Sequence, residues 1–416
     1  MLVRQPKAGL IVVSLPRETP EIANNFMTRA IRELSKYVDV VHPDEIALDA
    51  ETTRKYALEL EKQDVDCILF VPGSWIFAPF IVGAIQSIRV PVGLWASPEV
   101  RTAAFVGACV THGSLDEIGI KHAYFYGWPE EEALEVVKWI RAASAVKNLA
   151  GKVYGYIGGE CMGMYTATVD FAQVQSLFKV RVKHMDQLIL VEEAKKVNDK
   201  EAEEYYDQFK KDYTNIYVPD EIMLKSIKLL KAIKKVIEKE HFDFAGIKCQ
   251  PELIDTYVSP CLAVSLINNE GTVIACEADT NGALTMEILH LLSNQPVLFA
   301  DLYSVGREDR VLRLINCGTA PTVLAKDKRD VDWEYQFQYM GKQRGATTKF
   351  CCKPGKVTLA RLVRIKGEYH MFISSGEAFE QPKEKFKEDK EIWPHAFIKL
   401  DADPFVFIQE TRSNHI

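Results

Sequence analysis

The sequence predicts an α/β chain: two doubly wound, Rossmann-like parallel-sheet domains followed by a mostly antiparallel β C-terminal domain. Short apolar runs alternate with amphipathic helical stretches up to about residue 305. Those runs lack the in–out alternation of a half-exposed sheet, so helices must cover both faces of the sheets they form. Beyond about residue 305 the texture changes to β segments separated by turns, with few helical stretches between them. A chain of 416 residues also exceeds what one core usually organises. The expected domains are 1–148, 149–305 and 306–416.

The elements follow in order. GLIVVSL is a buried strand, and Pro20 to Tyr37 is a helix with apolar residues at i, i+3, i+4 spacing. VDVV is a second strand and Thr53 to Lys62 a second helix. CILFVPGSW and VPVGLWASP are apolar strands that end in small and polar residues, and a helix from Glu130 to Ala145 closes the unit. KVYGYIGG, a strand running into glycines, opens the next one. Its helices are Glu201 to Tyr213 and Ser226 to Glu240, and its further strands are FAGIKCQ, TVIACEAD and PVLFAD. RVLRLINCG, VTLARLVRIKG, YHMFISSGE and HAFIKL make up the final β domain.

Composition narrows the function classes. The formal net charge of −7 opposes nucleic-acid binding and attraction to anionic membranes. No apolar run approaches the roughly 20 residues that cross a bilayer. The basic start and short apolar run of the N-terminus mimic a secretory signal. Pro16-Arg17-Glu18 follows without a small-residue cleavage site, so a first strand is the better reading. The nine cysteines are odd in number and lack C-x-x-C spacing, as expected of buried thiols in a reducing compartment. A cytoplasmic location is expected.

Ligands of parallel sheets sit beyond the carboxyl ends of the strands. In the first unit this makes Arg17, Trp75 and Trp95 candidates for lining a cleft, with plain packing as the alternative. In the second half, three strand ends deliver polar groups: Glu277, Asp279 and Asn281; Asp301; and Lys248, Gln250 and Glu252. Glu277 and Asp301 could converge, and paired carboxylates repel unless a cation intervenes, so a hard divalent ion is the natural third party. The plain alternative has Glu277 capping the next helix and Asp301 pairing with Arg307 or Arg310. A histidine would complete an oxygen-and-nitrogen donor set. His290 reads as core and His112 as either catalytic or capping. His395, fixed behind Pro394 in EIWPHAFIKL, reads equally as ligand or satisfied core residue. In YIGGECMGMYTATVDF no nucleotide-binding motif is present. The small residues beside Met162, Met164 and Tyr165 either admit a small ligand or serve helix–sheet packing.

Four blocks, YIGGECMGMYTATVDF, GIKCQPE, ACEADTNGALTMEILHLLSNQPVLFAD and LINCGTAP, resemble the L-fucose isomerase and L-arabinose isomerase superfamily, closest to its fucose isomerase branch. They cover roughly residues 150 to 320. The resemblance implies a metal-dependent aldose–ketose isomerase that works on an open-chain sugar through a cis-enediol. It implies Mn2+, with Mg2+ or Co2+ as substitutes, held by Glu277, Asp301 and His395. Glu277 and Asp301 would also be the acid/base groups, Gln250 would contact substrate hydroxyls, and Met164 would line the sugar pocket. Family sites are shared between subunits of a homo-oligomer (here a trimer or hexamer), and Arg17 and Trp75 are assigned to that shared role. L-Fucose or D-arabinose is the default substrate. One alternative is an anionic sugar (sulfonated, phosphorylated or acid) met by Lys248, Arg307 or Arg344. Another is a non-catalytic sugar-binding protein.

Overall fold

The computed structural model describes residues 4–17, 20–335, 345–381 and 395–416. Arg344 and Pro394 lie outside the described residues. The chain forms two compact units, residues 4–148 and 149–416.

The first unit is built on strands β1 (Lys7–Val13), β2 (Asp39–Val41), β3 (Cys67–Pro72), β4 (Val92–Ala96) and β5 (Ala123–Tyr126). All neighbours are parallel, in the order β2-β1-β3-β4-β5. Alternate strand residues feed two cores. Leu10, Val12, Leu69, Val71 and Trp95 pack with Phe26 and Ile140 on one face. Ile11, Val13, Ile68, Phe70 and Leu94 pack with Leu60, Ile81 and Leu115 on the other. Both faces are covered, which explains the unbroken apolar strands. Strand order reverses between β1 and β3. The segments leaving those two strands are tied by a 3.0 Å hydrogen bond between the Ser14 and Ser74 hydroxyls. Arg17 and Trp75 follow directly, at the switch point where such sheets bind ligands.

The second unit begins with a parallel sheet of β6 (Val153–Ile157), β7 (Arg181–Met185), β9 (Phe244–Ile247) and β10 (Ile274–Cys276), in the order β10-β9-β6-β7. Between them in sequence, β8 (Asn215–Tyr217) lies outside this sheet and pairs in parallel with a later strand, β13 (Asp332–Tyr335). The switch point lies between β6 and β9, so the YIGG turn and the GIKCQ segment open onto one crevice. Gly158 adopts φ +90°, and a Cβ there would stand 2.4 Å from Gln187 Oε1 and 2.8 Å from Lys248 Cβ. The close approach of β9's exit requires glycine.

The remaining strands are β11 (Asp301–Val305), β12 (Val311–Ile315), β13 (Asp332–Tyr335), β14 (Ala346–Lys349), β15 (Gly355–Ile365), β16 (Glu368–Ala378) and β17 (Ala396–Leu400). Five of them form an antiparallel sheet in the order β11-β12-β17-β16-β15. Helix Thr280–Ser293 packs against β15, so the two sheet systems share one body. The fold is the α/β layout with an antiparallel C-terminal sheet that the sequence predicts. One element differs. PVLFAD reads as a strand ending in Asp301, whereas residues 296–300 are irregular and Asp301 begins β11, antiparallel to β12. Phe299 and Ala300 are buried all the same, and an apolar run alone does not distinguish the two cases.

Candidate active site

Strand β10 ends at Cys276, and the next two residues turn through left-handed backbone angles, φ +59° at Glu277 and +51° at Ala278. Side chains bearing a Cβ are held there only where their surroundings dictate it. The Ala278 amide donates to Ile247 of β9 at 3.1 Å. Asp279 then caps helix Thr280–Ser293, accepting from the Gly282 amide at 2.8 Å. The cap expected of Glu277 in the plain alternative therefore belongs to Asp279, which leaves Glu277 available.

Asp301 opens β11 with its backbone bridged antiparallel to His415. Ala300 and Ile416 exchange both backbone hydrogen bonds, at 3.0 and 2.9 Å, and the Leu302 amide donates to Asn414 at 2.8 Å. Residues directly opposite in an antiparallel pair present side chains to one face. The His415 Nε2 accordingly stands 3.3 Å from Asp301 Oδ1, and it is 3.2 Å from Glu277 Oε2. Its Nδ1 is 2.8 Å from Asp279 Oδ2. Asp279 also holds Arg361 of β15, at 2.7 and 3.2 Å. Asp279, Arg361 and His415 are buried. Gly282 makes room for this pair, since a Cβ there would meet Phe299 at 2.4 Å and Arg361 at 3.0 Å.

Three carboxylates and one guanidinium thus surround a single imidazole. Burial pushes the Glu277 carboxyl up to about 7, against the lowering pull of His415. Burial would raise Asp279 too, but Arg361 and His415 outweigh it and hold its carboxyl down at about 2. Burial disfavours charge on His415, yet Asp279, Asp301 and Glu277 outweigh that and raise its pKa well above the usual value. One donor atom from each of Glu277, Asp301 and His415 lies within 4.8 Å of the other two. Two carboxylate oxygens and one imidazole nitrogen at that spacing could hold a divalent ion, with Asp279 fixing the imidazole from behind.

The structure brings Glu277 and Asp301 together, but on His415 and not on His395. His395 is buried elsewhere, its Nδ1 accepting from the Asn316 amide and its Nε2 donating to the Thr348 carbonyl, both at 3.1 Å. Burial lowers its pKa to about 4. It is a neutral, satisfied core histidine with no lone pair to spare, which corrects the expectation of His395 as a ligand. Met164 is beside the site, since Asn414 Nδ2 reaches both Met164 Sδ at 3.7 Å and Asp301 Oδ1 at 3.2 Å. Gln250 is buried at the exit of β9, where its carbonyl accepts from the Cys161 thiol at 3.5 Å. The loop after Met164 is anchored by Asn281 Nδ2, which donates to the Thr166 carbonyl at 2.7 Å. Lys248 pairs with Glu252 at 2.8 Å, and Arg307 lies over the Phe405 ring. Arg17 and Trp75 belong to the first unit, where Trp75 is exposed. Trp95 is core, its ring fully buried and its Nε1 donating to Gly127. His290 is held at the end of its helix, with Nδ1 3.0 Å from the Gln295 carbonyl.

Sequence reasoning missed His415, Asn414 and Arg361. His415 lies in TRSNHI, with only a single apolar residue after it and no periodic context. The donor set called for a histidine, but nothing local in the sequence favoured His415 over His395.

Residues 314–416 match the model of the L-fucose isomerase C-terminal domain. A sulfoquinovose isomerase of Priestia megaterium (strain ATCC 12872 / QMB1551) is 24% identical over 356 residues, covering 82% of this chain and 79% of that protein. One from Alkalicoccus urumqiensis is 24% identical over 328 residues, covering 76% and 73%. One from Clostridium sp. (strain MSTE9) is 23% identical over 308 residues, covering 71% and 68%. The C-terminal match includes His415, and the alignments take in most of each chain, well beyond the four sequence blocks. These similarities support a fucose isomerase-like relationship and an aldose–ketose isomerase activity.

Proposed function

We propose that this chain interconverts an anionic aldose and its ketose at a divalent ion held by Glu277, Asp301 and His415. The observation that carries the reading is the convergence of two carboxylates on one imidazole at a sheet's carboxyl edge. The relatives named as sulfoquinovose isomerases favour an anionic sugar of that kind over the default of L-fucose or D-arabinose.

The residues divide the work as follows. His415 donates Nδ1–H to Asp279, which fixes the tautomer and turns Nε2 toward Glu277 and Asp301. Mn2+ is the proposed ion, and when bound it supplies Lewis-acid stabilisation of negative charge on the sugar oxygens. Glu277 is buried, and its carboxyl sits near neutrality, which suits taking a proton from C2 and returning it to C1 by way of an enediol. Asp301 is partly exposed and can pass protons between the sugar oxygens and solvent. Gln250 and Met164 line the sugar, and Arg17 and Trp75 complete a neighbouring subunit's site in a homo-oligomer.

The test is ketose formation from sulfoquinovose, L-fucose and D-arabinose, each with added Mn2+ and with a chelator. Turnover of sulfoquinovose that exceeds both neutral sugars and disappears on chelation supports the proposal. Equal or better turnover of the neutral sugars overturns the anionic substrate. Absence of turnover on all three, with sugar still bound, points to a binding protein instead.

A further inference from the structure

The first unit carries a second cluster of metal-type donors that shares no residue with the site above. His112 and Asp116 lie four apart on helix Ala104–Glu117, so their side chains share a face. His122 precedes β5 in the loop that follows the helix. His112 Nδ1 is 2.7 Å from His122 Nε2, and His112 Nε2 is 3.6 Å from Asp116 Oδ2. One donor atom of each residue lies within 4.8 Å of the other two.

The hydrogen bonds fix the tautomers. His122 Nδ1 is 2.9 Å from the Ile120 carbonyl, which can only accept, so Nδ1 carries the proton. Neutral His122 then presents Nε2 as a bare lone pair, and His112 Nδ1 must donate to it. A backbone carbonyl that locks one ring nitrogen is the usual companion of a metal-ligating imidazole. The His112 ring is held by stacking on Tyr124, with centroids 4.4 Å apart and planes 22° apart. Two oriented imidazoles therefore share one proton beside a carboxylate, and an ion can take that proton's place. His112 and His122 are half-buried and Asp116 is exposed, so water can fill the remaining coordination positions.

We propose that His112, Asp116 and His122 form a binding site for a zinc-type divalent transition ion. Imidazole donors favour zinc, nickel or copper over magnesium and calcium. Binding moves the His112 proton from Nδ1 to Nε2, the nitrogen on the Asp116 side, so both rings stay neutral and Nδ1 turns its lone pair to the ion. It also opens the imidazole pair from 2.7 Å to about 3.3 Å, the nitrogen separation of two ligands on a tetrahedral ion. Asp116 sits near the exposed end of the helix and closes on the ion by side-chain rotation.

The test uses the full-length E277Q/D301N chain, in which the first donor set is removed, titrated with Zn2+ against a chromophoric chelator. One tightly bound equivalent of Zn2+ is expected, with Mg2+ unable to displace it. Adding D116N, an exposed substitution that leaves folding unaffected, weakens Zn2+ binding by about tenfold or more, and adding H122N does the same. The absence of a Zn2+ equivalent overturns the proposal. So does a loss smaller than tenfold in D116N.

Discussion

Replacing Glu277 with glutamine separates what this residue does for the reaction from what it costs the fold. The residue is 7% exposed, and burial lifts its carboxyl from 4.5 to about 7. A raised carboxyl pKa means that the folded chain binds this proton more tightly than the unfolded chain does. The associated stability is fully present below pH 4.5 and is lost as pH rises through about 7. The difference of roughly 2.5 pH units corresponds to about 3 kcal/mol at pH 8, an upper value because His415 shares the interaction. Glutamine carries no such charge. Metal-free E277Q should therefore be more stable than the metal-free parent at pH 8 by as much as about 3 kcal/mol, and equal to it near pH 4.5. Turnover should fall by about 10²–10⁴-fold, the usual worth of a positioned proton-transfer group. Urea unfolding with a chelator present, at both pH values, reads the stability. Ketose formation with saturating Mn2+ reads the activity. Turnover within tenfold of the parent, or an E277Q chain less stable than the parent at pH 8, would refute the reasoning.

Further outcomes follow from the same cluster. Glu277 and His415 must each shed a proton to bind a cation, so apparent Mn2+ affinity should fall by about a hundredfold per pH unit below pH 7. Calorimetry in buffers of different ionisation enthalpy counts the protons released, and release of none would contradict the assignment. H415N should weaken Mn2+ binding by about a hundredfold or more. H395N should leave that affinity unchanged while costing about 1–3 kcal/mol in unfolding, since it leaves Asn316 or Thr348 without its buried partner. R361M strands the buried Asp279 carboxylate beside His415 and should destabilise the chain by about 3–5 kcal/mol in chemical denaturation.

The α/β architecture was legible because periodicity records burial directly. Ile11 and Val12 face opposite cores, and the run GLIVVSL is apolar for that reason. Glu277 was legible as a carboxylate leaving a buried strand, and the structure places it there. Asp301 was legible as a residue but not as an element, because an apolar run before an acid does not say whether the acid ends a strand or begins one. His395 and His415 show the limit most clearly. Both are buried histidines, and which one meets Glu277 depends on backbone pairing of Ala300 with Ile416, a contact between distant parts of the chain that leaves no local pattern. Arg361 was hidden for the same reason: it sits in a β15 run, VTLARLVRIKG, where arginines read as the exposed face. Its partner Asp279 comes from another sheet system.

The most direct measurement is anomalous X-ray diffraction at the manganese edge from crystals grown in Mn2+. The account predicts one strong peak bonded to Glu277, Asp301 and His415 Nε2, with Asp279 still on Nδ1. A peak at His395, or density showing Glu277 and Asp301 turned apart with no ion between them, would contradict it.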